Sequence, residues 1–181
     1  MSRRVLLIRH PAVADEIRGV CYGTSDVPLS PEGAAQIAGI VESVSAHGPV
    51  THVYHSGLRR TALVAEALTV RTGIGAAADP RLRERCFGEW EMRPWDDIHA
   101  ETGEAMMGMV RAPGRWHPPG GETTFELRDR VLAWYAELPP EGCIVAVTHG
   151  GPIAVLRGTL AGLPVERWPL LVPAYGESVT L

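Results

Sequence analysis

Two short apolar runs, each closed by a histidine, constrain this 181-residue chain more than any other feature. Val5-Leu6-Leu7-Ile8 runs into Arg9-His10-Pro11, and near the far end Cys143-Ile144-Val145-Ala146-Val147 runs into Thr148-His149-Gly150-Gly151-Pro152. A short unbroken apolar run suits a strand buried on both faces of a mostly parallel sheet. Pro11 biases His10 away from helical geometry and ends the first strand. After the second, two glycines open a helix with Pro152 in its first turn. Open α/β sheets take ligands at the carboxyl ends of their strands, and glycines at a helix N-terminus suit an anion. One imidazole can attack phosphorus while the other, with arginine, holds phosphoryl oxygens. Either stretch by itself is equally well explained as a solvated strand end.

Between these runs the chain alternates strand and helix signals. A loop from Pro11 to Pro28 carries Gly19-Val20-Cys21-Tyr22-Gly23-Thr24 and is long enough to suggest a functional role. Ser30 caps a helix with Pro31 first and Ala34, Ile37, Ala38, Val41 and Val44 on its apolar face. His52–Ser56 reads as a strand, and residues 58–71 as a helix with Leu58, Ala62, Ala65 and Leu68 inward and Arg60 in its first turn. Residues 73–80 read as a loop or short edge strand. Arg81–Trp95 is charged and aromatic without period and offers Glu84, Glu89 and Glu91. Short helical pieces follow over 94–100 and 101–111. Thr123–Leu138 forms a helix with Phe125, Val131, Leu132 and Tyr135 inward, preceded by a Pro-Pro-Gly-Gly-Glu loop expected beside the pocket. After the second histidine strand and its helix, Leu170–Pro173 and Glu177–Leu181 read as two final strands.

Composition narrows the chemistry. A net charge of −4 gives no case for nucleic acid. All 17 basic residues are arginine, so a Schiff-base or P-loop lysine is excluded. Cys21, Cys86 and Cys143 lack metal-ligand spacing and read as free thiols in a reducing cytoplasm. No signal peptide or membrane-length apolar run is visible. No repeat or linker breaks residues 1–181, which read as one domain.

Four segments, in order along the chain, resemble the motifs of the histidine phosphatase superfamily, the phosphoglycerate-mutase-like fold. They are Arg9-His10-Pro11, with proline for the usual glycine; Ser56-Gly57-Leu58-Arg59-Arg60; Leu82-Arg83-Glu84-Arg85-Cys86-Phe87-Gly88-Glu89-Trp90-Glu91, where Met92 follows in place of a common glycine; and Thr148-His149-Gly150-Gly151. The resemblance implies an α/β fold of three layers, α/β/α, around a mostly parallel, roughly six-stranded sheet. It implies a metal-independent phosphomonoesterase with no cofactor. His10 is the expected nucleophile and Glu84 the expected proton donor. Arg9, Arg60, His149 and Gly150 are expected to hold the phosphoryl group, with Tyr22 and Gly23 contacting substrate.

The Cys21-Tyr22-Gly23 loop resembles small family members close to α-ribazole phosphatase. That likeness implies α-ribazole 5′-phosphate, a cobalamin precursor, as the small phosphorylated metabolite. A phosphosugar phosphatase and a phosphoglycerate mutase are the enzymatic alternatives. A phosphate-binding protein without turnover is the alternative of another class, to which Pro11 lends weight. The resemblance implies no nucleic-acid or membrane partner and leaves the oligomeric state open.

Overall fold

The computed structural model describes residues 3–181. Its central sheet has five strands in the order β4-β3-β6-β1-β7. They are β1 (Arg4–Arg9), β3 (His52–His55), β4 (Ala76–Ala78), β6 (Cys143–Thr148) and β7 (Ser178–Thr180). All pair in parallel except β7, which runs antiparallel along β1. The sheet thus has one strand fewer than the roughly six expected. The missing strand is the one placed at Leu170–Pro173, where the chain forms a 3₁₀ turn over Val165–Leu171 instead. Prolines 169 and 173 bracket that segment, and the free edge of β1 is already taken by β7. A separate two-stranded ribbon joins β2 (Val20–Cys21) to β5 (Arg93–Pro94), two long loops whose pairing has no local signal.

Successive side chains of a strand point to opposite faces, which divides each apolar run between two cores. Val5, Leu7, Ile144 and Ala146 pack with α5 (Thr124–Ala136) and α6 (Gly150–Leu160). Leu6, Ile8, Val145 and Val147 pack with α1 (Pro31–Ser45) and α2 (Arg59–Thr72). The three-layer α/β/α architecture follows. Short helices α3 (Trp95–Thr102) and α4 (Gly108–Arg111) lie outside these layers. Among the described residues no helix is long and apolar enough to cross a membrane.

Of the residues expected inward, Val44, Leu58, Ala65, Leu68 and Val131 are buried and Ile37, Val41, Phe125, Leu132 and Tyr135 are partly buried against the cores, but further residues share these faces. In α1 the buried residues are Gly33, Ile40 and Val44, while Ala34 and Ala38 are exposed. Ser30 caps the helix by accepting from the Gly33 N–H, and Gly33 presses on the Ala12 backbone, where a Cβ would meet the carbonyl oxygen at 2.0 Å. This close approach sets the rotation of the helix and makes glycine an asset there. In α2 the buried set includes Arg60, Thr61 and Val64, and in α5 it is Thr124, Leu127, Val131 and Trp134. Two of these faces carry polar residues that packing periodicity cannot select.

Candidate active site

Parallel register brings the two histidines together. Arg9 of β1 sits opposite Thr148 of β6, so His10 and His149 leave the sheet side by side. The His10 N–H donates to the Thr148 carbonyl at 2.9 Å, and the two imidazole rings lie 5.0 Å apart. His10 Nδ1 is 2.8 Å from the Pro11 carbonyl. A carbonyl only accepts, so Nδ1 carries the proton and Nε2 keeps its lone pair. The Pro11 carbonyl supplies this contact, which does not depend on the residue's side chain.

His149 is fully buried between Arg60 and Ser56. Arg60 Nε lies 3.3 Å from His149 Nδ1, and Ser56 Oγ lies 2.8 Å from Nε2. Arg60 enters from the first turn of α2, as expected, but most of its donors serve the loop. Its NH1 and NH2 donate to the carbonyls of Ser25 and Gly23, each at 2.7 Å, and its guanidinium lies 5.1 Å from the Tyr22 ring centroid. Gly23 thus meets the site through Arg60 as well as along the pocket wall. Arg9 donates to the Pro173 carbonyl at 2.7 Å and stacks on Tyr175 at 3.9 Å, while its buried Nε has no hydrogen-bond partner.

Burial, followed by the charges of Arg60 and Arg9, lowers the His10 pKa to about 3 against the opposing pull of the Pro11 carbonyl. Burial also holds His149 well below the ordinary imidazole value, followed by the charges of Arg60, His10, Arg130 and Arg9. Both rings are neutral at pH 7.

Of the three carboxylates, Glu84 is the one beside the helix that follows His149. It accepts from the N–H of Arg85 at 2.8 Å and of Gly151 at 3.2 Å. A Cβ on Gly151 would stand 2.2 Å from Glu84 Oε1, so glycine is what lets the carboxylate reach the helix N-terminus. Glu89 is exposed. Glu91 is a loop anchor. It accepts from Thr24 N–H and Oγ1, from Ser25 Oγ and from Phe87 N–H. Burial would raise its pKa, but these four donors hold it below the usual carboxylate value.

Two further residues brace Glu84: Arg130, which has no signal in the sequence, and Glu122, the last residue of the Pro-Gly-Gly-Glu segment. Arg130 donates to the carbonyls of Arg81, Arg83 and Glu84 and to the Glu122 carboxylate. Glu122 also accepts from the Cys86 N–H. The Pro-Gly-Gly-Glu segment expected beside the pocket is therefore a support behind Glu84. His55 accepts from the Gly57 N–H at 3.2 Å and caps the turn into α2.

A cavity of about 560 Å³ opens in front of this cluster. Arg9, Tyr22, Gly23, Glu84, Gly150 and Tyr175 line its inner end. His10, Arg60 and His149 lie behind them, at 1%, 0% and 0% exposure. Tyr22 and Tyr175 share a hydroxyl–hydroxyl hydrogen bond of 2.9 Å, and their rings flank His10. Tyr175 was not foreseen: it sits in a loop between Ala174 and Gly176 with no period or motif around it. The rest of the wall is largely apolar, formed by Val20, Trp95, Met109, Val110 and Val165 among others, while Val172 packs against Gly150.

Comparison with known proteins agrees with this geometry. Residues 5–180 match the histidine phosphatase superfamily (branch 1). A glucosyl-3-phosphoglycerate phosphatase of Mycolicibacterium vanbaalenii is 32% identical over 93% of this chain and 79% of its own. A probable phosphoglycerate mutase of Salmonella paratyphi B is 34% identical over 89% of this chain and 76% of its own. The solved structure of a mycobacterial glucosyl-3-phosphoglycerate phosphatase superposes with a TM-score of 0.87 at 29% identity, covering 99% of this chain and 90% of the other. An α-ribazole phosphatase from Shigella flexneri, at 24% identity and a TM-score of 0.81 over 98% of this chain and 89% of its own, shares the fold alone. The register-matched histidines, the arginines around them and the match across nearly the whole length make this chain a member of the histidine phosphatase superfamily.

Proposed function

We propose that this chain is a phosphomonoesterase working through a phosphohistidine on His10. The observation that carries this reading is the His10 Nδ1–Pro11 carbonyl contact, which leaves Nε2 as a neutral, directed lone pair among Arg9, Arg60 and His149. In this mechanism Nε2 attacks phosphorus in line, the N–P bond forms and the ester P–O bond breaks. Glu84, in its acid form, gives the departing alkoxide a proton. As a carboxylate it then takes one from the water that attacks the phosphohistidine and restores His10. Arg9, with its unpartnered buried Nε, together with Arg60, His149 and the Gly150 N–H, neutralises the phosphoryl oxygens. Charge-assisted bonds of this kind contribute roughly 1.5–3 kcal/mol each. The arginines supply the positive charge, so turnover is expected to survive exhaustive chelation.

Brief reaction with labelled substrate and alkaline quenching should trap acid-labile label, and His10→Ala should abolish it. Label that persists in His10→Ala would sink the assignment. No label and no turnover in the wild type would instead favour a phosphate-binding protein.

For the ester itself, the relatives support a phosphosugar or phosphoglycerate-type substrate over α-ribazole 5′-phosphate. A second reading rests on the apolar outer wall, which suits an ester whose alcohol part is flat or apolar, and α-ribazole 5′-phosphate is one such ester. Comparing kcat/KM for glucosyl-3-phosphoglycerate, 3-phosphoglycerate and α-ribazole 5′-phosphate separates the two. Release of inorganic phosphate, against isomerised phosphoglycerate, separates a phosphatase from a mutase. The three free cysteines and the acidic net charge support a cytoplasmic enzyme acting on a small metabolite.

A further inference from the structure

We propose that Tyr175 is a positioning residue for Arg9, its ring face holding the guanidinium at the end of β1 without using up the N–H groups that an anion would need. The inference rests on the reading of this pocket as a phosphate site.

Arg9 stands where a cation is hard to keep. A Cβ on Gly150 would meet Arg9 Nε at 3.6 Å and Cζ at 3.7 Å, so the guanidinium lies against the first residue of α6. A helix N-terminus carries partial positive charge and repels it. Arg60 is a second cation, and its charge and that of Arg9 both bear on His10. Among the described residues no carboxylate forms an ion pair with Arg9. Glu84, which shares the cavity wall, accepts from the N–H groups of Arg85 and Gly151 instead.

The loop that leads into β7 supplies what these charges do not. The Pro173 carbonyl accepts from Arg9 NH1 at 2.7 Å, and Arg9 Cζ lies 3.9 Å from the centroid of the Tyr175 ring. The ring is itself fixed at both ends. Beside it in the chain, the Gly176 N–H reaches the carbonyls of Arg9 and His10 at 3.2 and 3.3 Å, in a turn that uses a Gly176 φ of +75°. At its tip, the Tyr175 hydroxyl shares a 2.9 Å hydrogen bond with the Tyr22 hydroxyl.

The kind of contact matters. A carboxylate in this place would take up two N–H groups and cancel the charge. An aromatic face attracts the cation through its quadrupole and takes none. Arg9 Nε is buried without a partner, a costly state that a site keeps where a ligand completes it. Arg60 differs, because its Nε, NH1 and NH2 already serve His149, Ser25 and Gly23. Tyr175 thus keeps Arg9 in place with its charge uncancelled and a donor to spare.

In ¹H–¹⁵N spectra of the free wild-type protein, the Nε–H signal that disappears in Arg9→Gln should lie upfield of the ordinary arginine position, shielded by the Tyr175 face. It should stay there in Tyr175→Phe and return to the ordinary position in Tyr175→Leu. Inorganic phosphate should bind Tyr175→Leu roughly 5–30-fold more weakly than wild type, the size of a desolvated cation–π contact. Tyr175→Phe, which keeps the ring, should recover most of that loss. In the Arg9→Gln background, Tyr175→Leu should change phosphate affinity by less than about 2-fold, since its partner is gone. An unshifted wild-type Nε–H, unchanged phosphate affinity in Tyr175→Leu, equal losses in Tyr175→Phe and Tyr175→Leu, or the full loss recurring beside Arg9→Gln would each overturn the proposal. If Tyr175→Leu does not fold, the wild-type and Tyr175→Phe spectra decide it, an ordinary Nε–H position in both counting against the stack. If His10 never carries label while the Arg9 signal and phosphate affinity behave as described, the catalytic reading fails and the positioning role stands.

Discussion

The two ends of the pocket are built on opposite principles. At the inner end His10, Arg60 and His149 come from the ends of two central strands and the first turn of one helix, and they are sealed from solvent. Low dielectric strengthens each contact there but makes any unpaired polar group costly, so the geometry is tightly specified. The other end is assembled from separate loops and short helical turns around Val20, Trp95, Val110 and Val165. A site built this way can keep its reaction while its alcohol-binding wall changes. The inner end should tolerate almost no substitution, and the outer end should trade substrates at small cost.

Glu84 stands where the two ends meet, and its replacement should have the largest effect. Glu84→Gln should lower kcat/KM for an alkyl phosphate by about 10²–10⁴-fold, the usual range for a positioned general acid. It should spare nitrophenyl phosphate, whose leaving group departs almost unaided. An equal loss on both esters would mean that Glu84 braces the site instead of donating a proton.

Acid should expose the inner end next. In the folded state the His10 pKa is lowered from 6.5 to about 3, and His149 is lowered as well, first by burial in each case. The unfolded chain therefore binds more protons below about pH 6.5. Stability is complete above that pH and falls as pH drops toward about 3, by up to about 1.4 kcal/mol per pH unit for each ring. Urea midpoints measured between pH 7 and 4 should show this slope, and His10→Gln should make it shallower. An unchanged slope would mean that neither histidine is held neutral.

Glu91 anchors the Gly23–Ser25 loop that Arg60 grips, so it tests how far the inner end depends on that loop. Glu91→Gln should cost about 1.5–3 kcal/mol in chemical denaturation, the range for hydrogen bonds to a charged group, and should weaken phosphate binding through Ser25 and Gly23. Glu89→Gln, on an exposed side chain, should change neither quantity. Equal behaviour of the two variants would contradict the anchoring role.

Val110 lines the apolar wall and is partly buried, so its replacement reports on the wall with little effect on folding. Val110→Ser should lower kcat/KM for esters with an apolar alcohol by roughly 2–10-fold, leaving methyl phosphate unchanged. The smallest effect is expected at Met92, which holds φ at +65° with a half-exposed side chain. Met92→Gly should raise stability by up to about 1 kcal/mol, because glycine carries no Cβ penalty there. A lower melting temperature would show that the Met92 side chain contributes packing that outweighs its strain.

Much of this arrangement is written locally. The apolar runs of β1 and β6 declare buried strands, Ser30-Pro31 declares the start of α1, and Thr123 with Glu126 forms a capping box at α5. The face of α2 is different. Arg60 and Thr61 are buried because the site needs them, so a search for apolar spacing selects Ala62 over the residues that matter. Tyr175, Arg130 and Glu122 act through partners 153, 46 and 36 residues away in sequence, at Tyr22, Glu84 and Cys86, and no window of sequence contains both members of such a pair.

The sequence by itself determined the alternation of strand and helix, the two strand-end histidines and the three carboxylates Glu84, Glu89 and Glu91 near them. Backbone preference and hydrophobic period are properties of neighbouring residues, so they survive without a fold. Tertiary structure alone decided what Glu84 stands against, which way α1 turns, and which nitrogen of His149 holds the lone pair. Each of those outcomes depends on a group brought from a distant part of the chain: the Gly151 N–H facing Glu84, the Ala12 carbonyl against Gly33, and Arg60 against His149. Close contact and hydrogen-bond direction act over a few ångströms of space, and a sequence measures distance only along the chain.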